Sequence, residues 1–311
     1  MQTDFPLIRE PYADLGRQLG VDRDDVIHRI EQLKIRGIIR QISPVLDSRI
    51  LGYQTTLVAM RVAKTKLGEA ERLIGNHHGV SHGYERDHYF NLWFTLAIPP
   101  SADMTIELKR ITSPIGADAA FSLPAVKVFK LKAYFNMGED AQGIVAQPND
   151  GLHPRLKFSP VDKRVINELQ QDMPLTPMPF AAMAARLSMD MEYFLLQCQL
   201  LLQRGILRRF SAAINHRKAG FKANAMACWV ASPAMVDTVG QRLASLQEVS
   251  HCYERKTNPL WPYNIFAMIH GHRKKSCNVI VDRLSYEYGL TDYVLLFSTK
   301  EFKKARTKYL V

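Results

Sequence analysis
The sequence predicts an α+β protein made of two tandem units of one plan, and three observations predict it. A phrase recurs: Val80-Ser81-His82-Gly83-Tyr84-Glu85-Arg86 returns as Val249-Ser250-His251-Cys252-Tyr253-Glu254-Arg255, differing only at Gly83 against Cys252. The repeat around it is long. Residues 5–53 lie over residues 173–221 without a gap, so that Arg36-Gly37-Ile38 matches Arg204-Gly205-Ile206 and Gly52 matches Gly220. Each copy opens with helical periodicity and continues as short strands interleaved with helices. The period far exceeds that of a solenoid, so two homologous units fused on one chain is the reading.

The elements follow in order. Residues 12–19 and 24–36 read as two helices joined at Gly20, with Val26, Ile30 and Leu33 on one apolar stripe. Asp22 is the expected N-cap and Gly37 the expected C-terminal stop. A strand follows at 38–45, which completes a winged helix-turn-helix over residues 1–53. Residues 161–221 repeat it with one more helix in front, at 161–171. The first unit is truncated by comparison, which implies either a trimmed domain or a start lying upstream. A βαββαβ pattern comes next: strand 55–62, helix 67–74, hairpin 80–88 with 91–98, helix 102–111 and strand 126–134. Its counterparts are 223–231, 234–246, 249–256 with 263–269, 276–288 and 293–302. These are ferredoxin-like α+β sandwiches over 54–137 and 222–311. Residues 138–160, rich in Gly, Pro, Asp and Asn, form the expected linker.

Composition bounds the function. The 311 residues leave room for two cores, and 47% hydrophobic content is that of a globular protein. No run of about 18 apolar residues implies a membrane span, and the first residues lack the basic and apolar regions of a signal peptide. The four cysteines, Cys198, Cys228, Cys252 and Cys277, form no Cys-x-x-Cys pair, so no metal site is expected, and they read as reduced thiols of a cytoplasmic protein. A net charge of +11 favours a polyanionic partner: nucleic acid, a phosphorylated ligand or a multiply carboxylated small molecule.

The helix-turn-helix pattern raises DNA binding, but the residues oppose it. The second helix begins with Arg23-Asp24-Asp25 in one copy and Met191-Glu192-Tyr193 in the other, where carboxylates would repel phosphate. Leu196, Leu200 and Leu202 stand where the first copy has His28, Gln32 and Lys34, and are expected to be buried against another domain. The helical units therefore read as structural or interface elements.

The repeated phrase is the candidate site. On a strand, His82, Tyr84 and Arg86 share one face, as do His251, Tyr253 and Arg255. Each histidine is either a satisfied structural residue or a general acid or iron ligand. Each tyrosine is a core aromatic or a hydroxyl donor on a pocket wall. Each arginine shares its face with a valine and needs an anion, internal or from a ligand carboxylate. Glu85 and Glu254 point to the opposite face. Asn91 and Asn264 either pin the hairpin or touch ligand. Trp261-Pro262-Tyr263 would wall a flat ligand by stacking, or fill a gap. His270, in Met268-Ile269-His270-Gly271-His272, is a solvated loop residue or adds charge to a pocket rim. Residues 302–308 read as a solvated basic tail.

Taken together, the helix-turn-helix with its βαββαβ domain resembles the Lrp/AsnC regulators. The His-x-Tyr-Glu-Arg hairpin, with Trp261–Asn264 and Met268–Gly271, is more specifically similar to the siroheme decarboxylases of the alternative haem and haem d1 pathways. In that family the two units are often separate subunits that pair, so the resemblance implies an intrachain pseudo-dimer, open to further assembly. It implies removal of the C12 and C18 acetate carboxyl groups of siroheme, giving didecarboxysiroheme. It also implies no cofactor beyond the iron within the substrate and no DNA or membrane partner. The first copy departs from the pattern, since residues 87–90 replace the Trp-Pro segment. On this reading His251 and His82 are general acids, while Arg255, Tyr253, Arg86, Tyr84, Trp261, Asn264 and His270 bind substrate. An Lrp-like regulator sensing haem or an amino acid, and a tetrapyrrole carrier without catalysis, are the alternatives.

Overall fold
Ten strands and nine helices account for most of the described residues of the computed structural model, which are 1, 5–131, 157–214, 223–271 and 273–309. The expected linker lies largely outside them. In the first half, α1 (Pro11–Leu19) and α2 (Arg23–Ile35) lead into β1 (Ile39–Leu46). The Asp22 side chain caps α2 by accepting from the Asp25 backbone N–H at 2.8 Å, and Gly37 closes it at φ 65°. Then come β2 (Gln54–Arg61), α3 (Leu67–Asn76), β3 (Val80–Arg86), β4 (Leu92–Ile98), α4 (Met104–Ile115) and β5 (Ala119–Leu131). The second half repeats the plan with α5 (Pro160–Leu169), α6 (Pro179–Arg186), α7 (Met191–Gln203), β6 (Leu207–Ile214), β7 (Ala223–Trp229), α8 (Val236–Ser245), β8 (Val249–Arg255), β9 (Ile265–Gly271), α9 (Lys274–Glu287) and β10 (Tyr293–Lys304).

The two helical units share one core. β1 and β6 pair antiparallel, with Ser43 opposite Ser211. Phe5, Tyr12 and Ile42 pack in one buried cluster with Val165, Phe180, Phe194 and Phe210. The outward leucines of α7 do not join it: Leu196, Leu200 and Leu202 are 49%, 38% and 42% exposed. That corrects the expectation that another domain covers them. The helix already buries a complete apolar face through Phe194, Leu195, Cys198 and Leu201.

Each βαββαβ half has the ferredoxin-like strand order, β5-β2-β4-β3 and β10-β7-β9-β8, but neither sheet ends within its own half. β5 pairs with β2 as far as Pro124 and with β8 from Ala125 onward. β10 pairs with β7 as far as Phe297 and with β3 from Ser298 onward. The eight strands therefore close into one barrel, which leaves no free edge. This is why β5 begins at Ala119, well before the expected 126: its first half serves one sheet and its second half the other. The helices α3 and α4 cover one sheet from outside and α8 and α9 the other. Between the sheets lies an apolar floor that includes Phe90, Trp93, Phe121, Trp261, Phe266 and Leu296. Among the described residues no helix is long and apolar enough to cross a membrane.

Candidate active site
Both copies of the repeated phrase face a single cavity of about 680 Å³, set between the barrel interior and the β1–β6 ribbon. That size lies within the ~300–1,000 Å³ of cofactor-scale pockets. His82, Tyr84 and Arg86 line it from β3, and His251, Tyr253 and Arg255 from β8. The barrel brings them together because each of these strands is the sheet edge that receives the crossing strand of the opposite half, β3 from β10 and β8 from β5. Alternation places His, Tyr and Arg on one face, and their side chains stack along it. The rings of His251 and Tyr253 lie 6.3 Å apart and nearly parallel, and the Arg255 guanidinium sits 4.6 Å from the Tyr253 ring centre. Arg86 lies over Tyr84 at 5.4 Å.

Among the described residues the two arginines have no anion beside them. Arg86 Nη1 donates to the Leu296 carbonyl at 2.9 Å, and Arg255 Nη1 donates to the Leu123 carbonyl at 2.8 Å. Among the described residues neither forms an ion pair, and the Nε of each is buried without a partner. Burial pulls the Arg86 pKa down to about 10 and shifts that of Arg255 in the same direction. Both remain cations at neutral pH.

The histidines are held neutral. Burial is the main cause and nearby cations add to it, so His82 falls to about 4 and His251 to about 3. His82 feels Lys304 and Arg40, with Glu301 opposing. His251 feels His82, Lys304, Arg255 and Lys130. Burial also raises the Tyr253 hydroxyl, with Arg255 opposing.

Strict alternation would turn Ser81 and Ser250 away from the histidines. A β-bulge intervenes in each strand, between Val80 and His82 and between Val249 and His251. Both serines therefore line the cavity and reach the neighbouring ring: Ser81 Oγ to His82 Nδ1 at 2.9 Å, and Ser250 Oγ to His251 Nδ1 at 2.7 Å. Ser250 Oγ also lies 2.7 Å from His270 Nε2. His270 is no loop residue: it is buried on β9, opposite Asn224 of β7, and lines the cavity.

Two expected substrate contacts lie elsewhere. Trp261 is buried outside the cavity lining, edge-on to Trp93 at 5.0 Å and Tyr263 at 4.9 Å, so it fills the floor between the sheets. Asn264 closes a two-way bond with the backbone of Ala231, accepting from its N–H and donating to its carbonyl at 2.8 Å each. Asn91 does the same with Val62. Both asparagines pin hairpins. The C-terminal segment is not a solvated tail either. Arg306 Nη2 donates to the Ser211 carbonyl at 2.9 Å and Nη1 to the Ser43 and Pro44 carbonyls, which ties the segment across the β1–β6 ribbon at the cavity wall. Sequence reasoning also missed Arg40, Arg209, Asn224 and Lys304, which line the cavity. The serines carried a signal, since they lie inside the repeated phrase. Among the described residues no cluster of three or more His, Cys, Asp or Glu is placed to hold a metal ion.

Comparisons with known proteins agree with this architecture. The AsnC-like ligand binding domain model matches residues 50–130 and 218–303, and the siroheme decarboxylase NirDL-like HTH domain model matches 1–40 and 162–208. A siroheme decarboxylase of Hydrogenobacter thermophilus is 37% identical over 99% of this chain and 92% of its own. A siroheme decarboxylase NirDL subunit of Paracoccus denitrificans is 31% identical over 97% of this chain and 93% of its own. A siroheme decarboxylase beta subunit of Methanosarcina barkeri, 38% identical, covers 46% of this chain with 94% of its own, the length of one repeat. The crystal structure of the siroheme decarboxylase NirDL in co-complex with an iron-uroporphyrin III analogue is 34% identical and superimposes with a TM-score of 0.76, covering 100% of this chain and 92% of its own.

Proposed function
Because the chain belongs to the siroheme decarboxylase family, we propose that it removes the C12 and C18 acetate carboxyl groups of siroheme within this one cavity, giving 12,18-didecarboxysiroheme. The observation that carries the reading is the pair Arg86 and Arg255: two guanidinium groups that no carboxylate among the described residues pairs with, in the same cavity as two neutral histidines. A flat macrocycle bearing eight carboxylates supplies the missing anions. The floor of Leu57, Trp93, Met226 and Phe266 supplies an apolar surface for its face.

Each step replaces a carboxylate with hydrogen. A proton on the pyrrole ring lets the ring accept the electron pair as the bond to CO2 breaks. The methylene carbon then takes a proton and becomes methyl, and the ring gives back the proton it had taken up. Per acetate, one proton is consumed and one CO2 leaves. In this reading His251 and His82 deliver the protons. The arginines hold carboxylates that stay. A guanidinium paired with the departing carboxylate would stabilise the ground state and slow the reaction, whereas an apolar setting destabilises that carboxylate. No separate cofactor enters this scheme, since the macrocycle is its own electron sink. Asp24, Asp25 and Glu192 at the helix starts favour a role without DNA.

Anaerobic incubation of the purified chain with siroheme, followed by mass spectrometry of the extracted tetrapyrrole, tests the reading. Loss of two CO2 is expected. A shifted absorption spectrum with unchanged mass would identify a carrier instead.

A further inference from the structure
The two halves of the cavity are not equivalent, and the difference lies behind the histidines. Ser81 and Ser250 each sit on a bulge and touch the Nδ1 of the next residue. Among the described residues only Ser250 continues to a third group, the Nε2 of His270. The strand position that His270 takes in β9 is held in β4 by Ala97, whose side chain has no polar atom to offer. We propose that Ser250 and His270 are positioning residues that pass a proton to His251, so that the second copy alone has an internal supply for its proton donor.

The inference rests on the decarboxylase reading, and its chemistry follows from the single proton of a serine hydroxyl. Ser250 can donate to one ring nitrogen and must accept from the other. With the hydroxyl donating to His251 Nδ1, His251 is neutral and carries its proton on Nε2, while His270 donates its Nε2–H to Oγ. When His251 passes its Nε2 proton to the substrate methylene, the Ser250 proton moves to Nδ1 and the His270 Nε2 proton moves to Oγ. His270 starts as imidazolium and ends neutral, protonated on Nδ1. His251 is neutral before and after. One proton has left His270 and one has reached carbon. A proton from water in the emptied cavity, taken up at His251 Nε2, resets the chain by sending the Nδ1 proton back through Ser250.

This solves a problem the site otherwise has. His251 faces His82 from β3, Lys304 from β10, Lys130 from β5 and Arg255 on its own strand, and is largely removed from water. An imidazolium there is disfavoured, and a neutral imidazole alone is a very weak acid. Exchange through Ser250 lets it donate without ever being charged. The carboxylates of the bound ligand provide the anionic field in which His270 carries the charge.

The experiment measures siroheme turnover, siroheme affinity and the pH profile of kcat for Ser250→Ala, Ser250→Thr, His270→Gln and Ser81→Ala. Ser250→Ala and His270→Gln are expected to lower kcat at least tenfold, Ser250→Ala with affinity within twofold, and both are expected to remove the limb of the pH profile that the relay contributes. Ser250→Thr, which keeps the hydroxyl, should recover most of kcat, and Ser81→Ala should lose less than Ser250→Ala. Full kcat with an unchanged pH profile in Ser250→Ala would overturn the relay. Equal losses in Ser81→Ala and Ser250→Ala would overturn its asymmetry. In Ser250→Ala, an affinity loss matching the kcat loss would make the pair structural. Wild-type chain that binds siroheme and leaves it unchanged would sink the decarboxylase reading itself, and the relay with it.

Discussion

Gly83 lies directly beneath the ring of Phe302, and a Cβ at Gly83 would come within 2.3 Å of that ring. This contact explains the single difference between the two copies of the repeated phrase. The equivalent aromatic in the other half, Phe129, rests instead on Gly240 of α8, which leaves room for Cys252. Gly83→Ala must push Phe302 away from a seam of the barrel and should lower stability by about 2 kcal/mol. Thermal unfolding reads the loss. Adding Phe302→Leu to Gly83→Ala should restore part of it, and a double variant no better than the single would show that the strain lies elsewhere.

The two seam arginines should separate function from stability. A cation buried without an anion is a burden on the empty fold, and an apolar side chain of similar length removes it. Arg255→Met should therefore keep or raise the melting temperature of the ligand-free chain while weakening siroheme binding by about 2 kcal/mol or more. Arg255→Lys retains charge but loses the planar fork, so its affinity should fall between the two. Absorbance titration with siroheme checks both. Arg255→Met with unchanged affinity would mean that Arg255 touches no carboxylate.

Asp47 joins the two helical units. It is buried, accepts from Arg208 Nε at 3.0 Å on β6 of the other half, and also accepts from the Arg49 backbone N–H at 2.9 Å. Burial pushes its pKa up, but the bonds from Arg49 and Arg208 outweigh it and hold it at about 2. A depressed carboxyl contributes stability above its unfolded pKa of about 3.9, and that stability is lost as pH falls toward 2. Asp47→Asn should cost roughly 2 kcal/mol at pH 7 and less below pH 3. A loss independent of pH would indicate a shape effect.

Much of this was legible in the sequence, and the exceptions have physical causes. The repeat gave the tandem plan, and strand alternation gave the shared face of His82, Tyr84 and Arg86, because alternation is local. The closing of two sheets into one barrel was not legible, because β5 and β10 each serve two partners and pairing leaves no mark in one strand's pattern. Ser250 was missed because a bulge breaks the very alternation used to find its neighbours. Trp261 was assigned to the ligand because an aromatic beside a motif looks the same whether it faces a cavity or a core; only the packing of Trp93 and Phe90 around it decides.

Acid should destabilise the empty cavity in a way that bound ligand cancels. His82 and His251 titrate near 4 and 3 in the folded chain, against about 6.5 when unfolded. Between those values the unfolded chain holds more protons, so stability rises with pH across the window. It is fully present above about pH 6.5 and declines as pH falls toward 4 and then 3. The ligand-free melting temperature should therefore drop from pH 7 to pH 4 beyond the fall seen in the His82→Gln, His251→Gln double variant. With siroheme bound, carboxylates face the same rings and favour their charged forms. The acid-induced drop should shrink, and stabilisation by ligand should be larger at pH 5 than at pH 7. Melting curves with and without siroheme at both pH values decide the matter. Equal ligand stabilisation at the two would show that the carboxylates lie away from His82 and His251, and would undercut their assignment as proton donors.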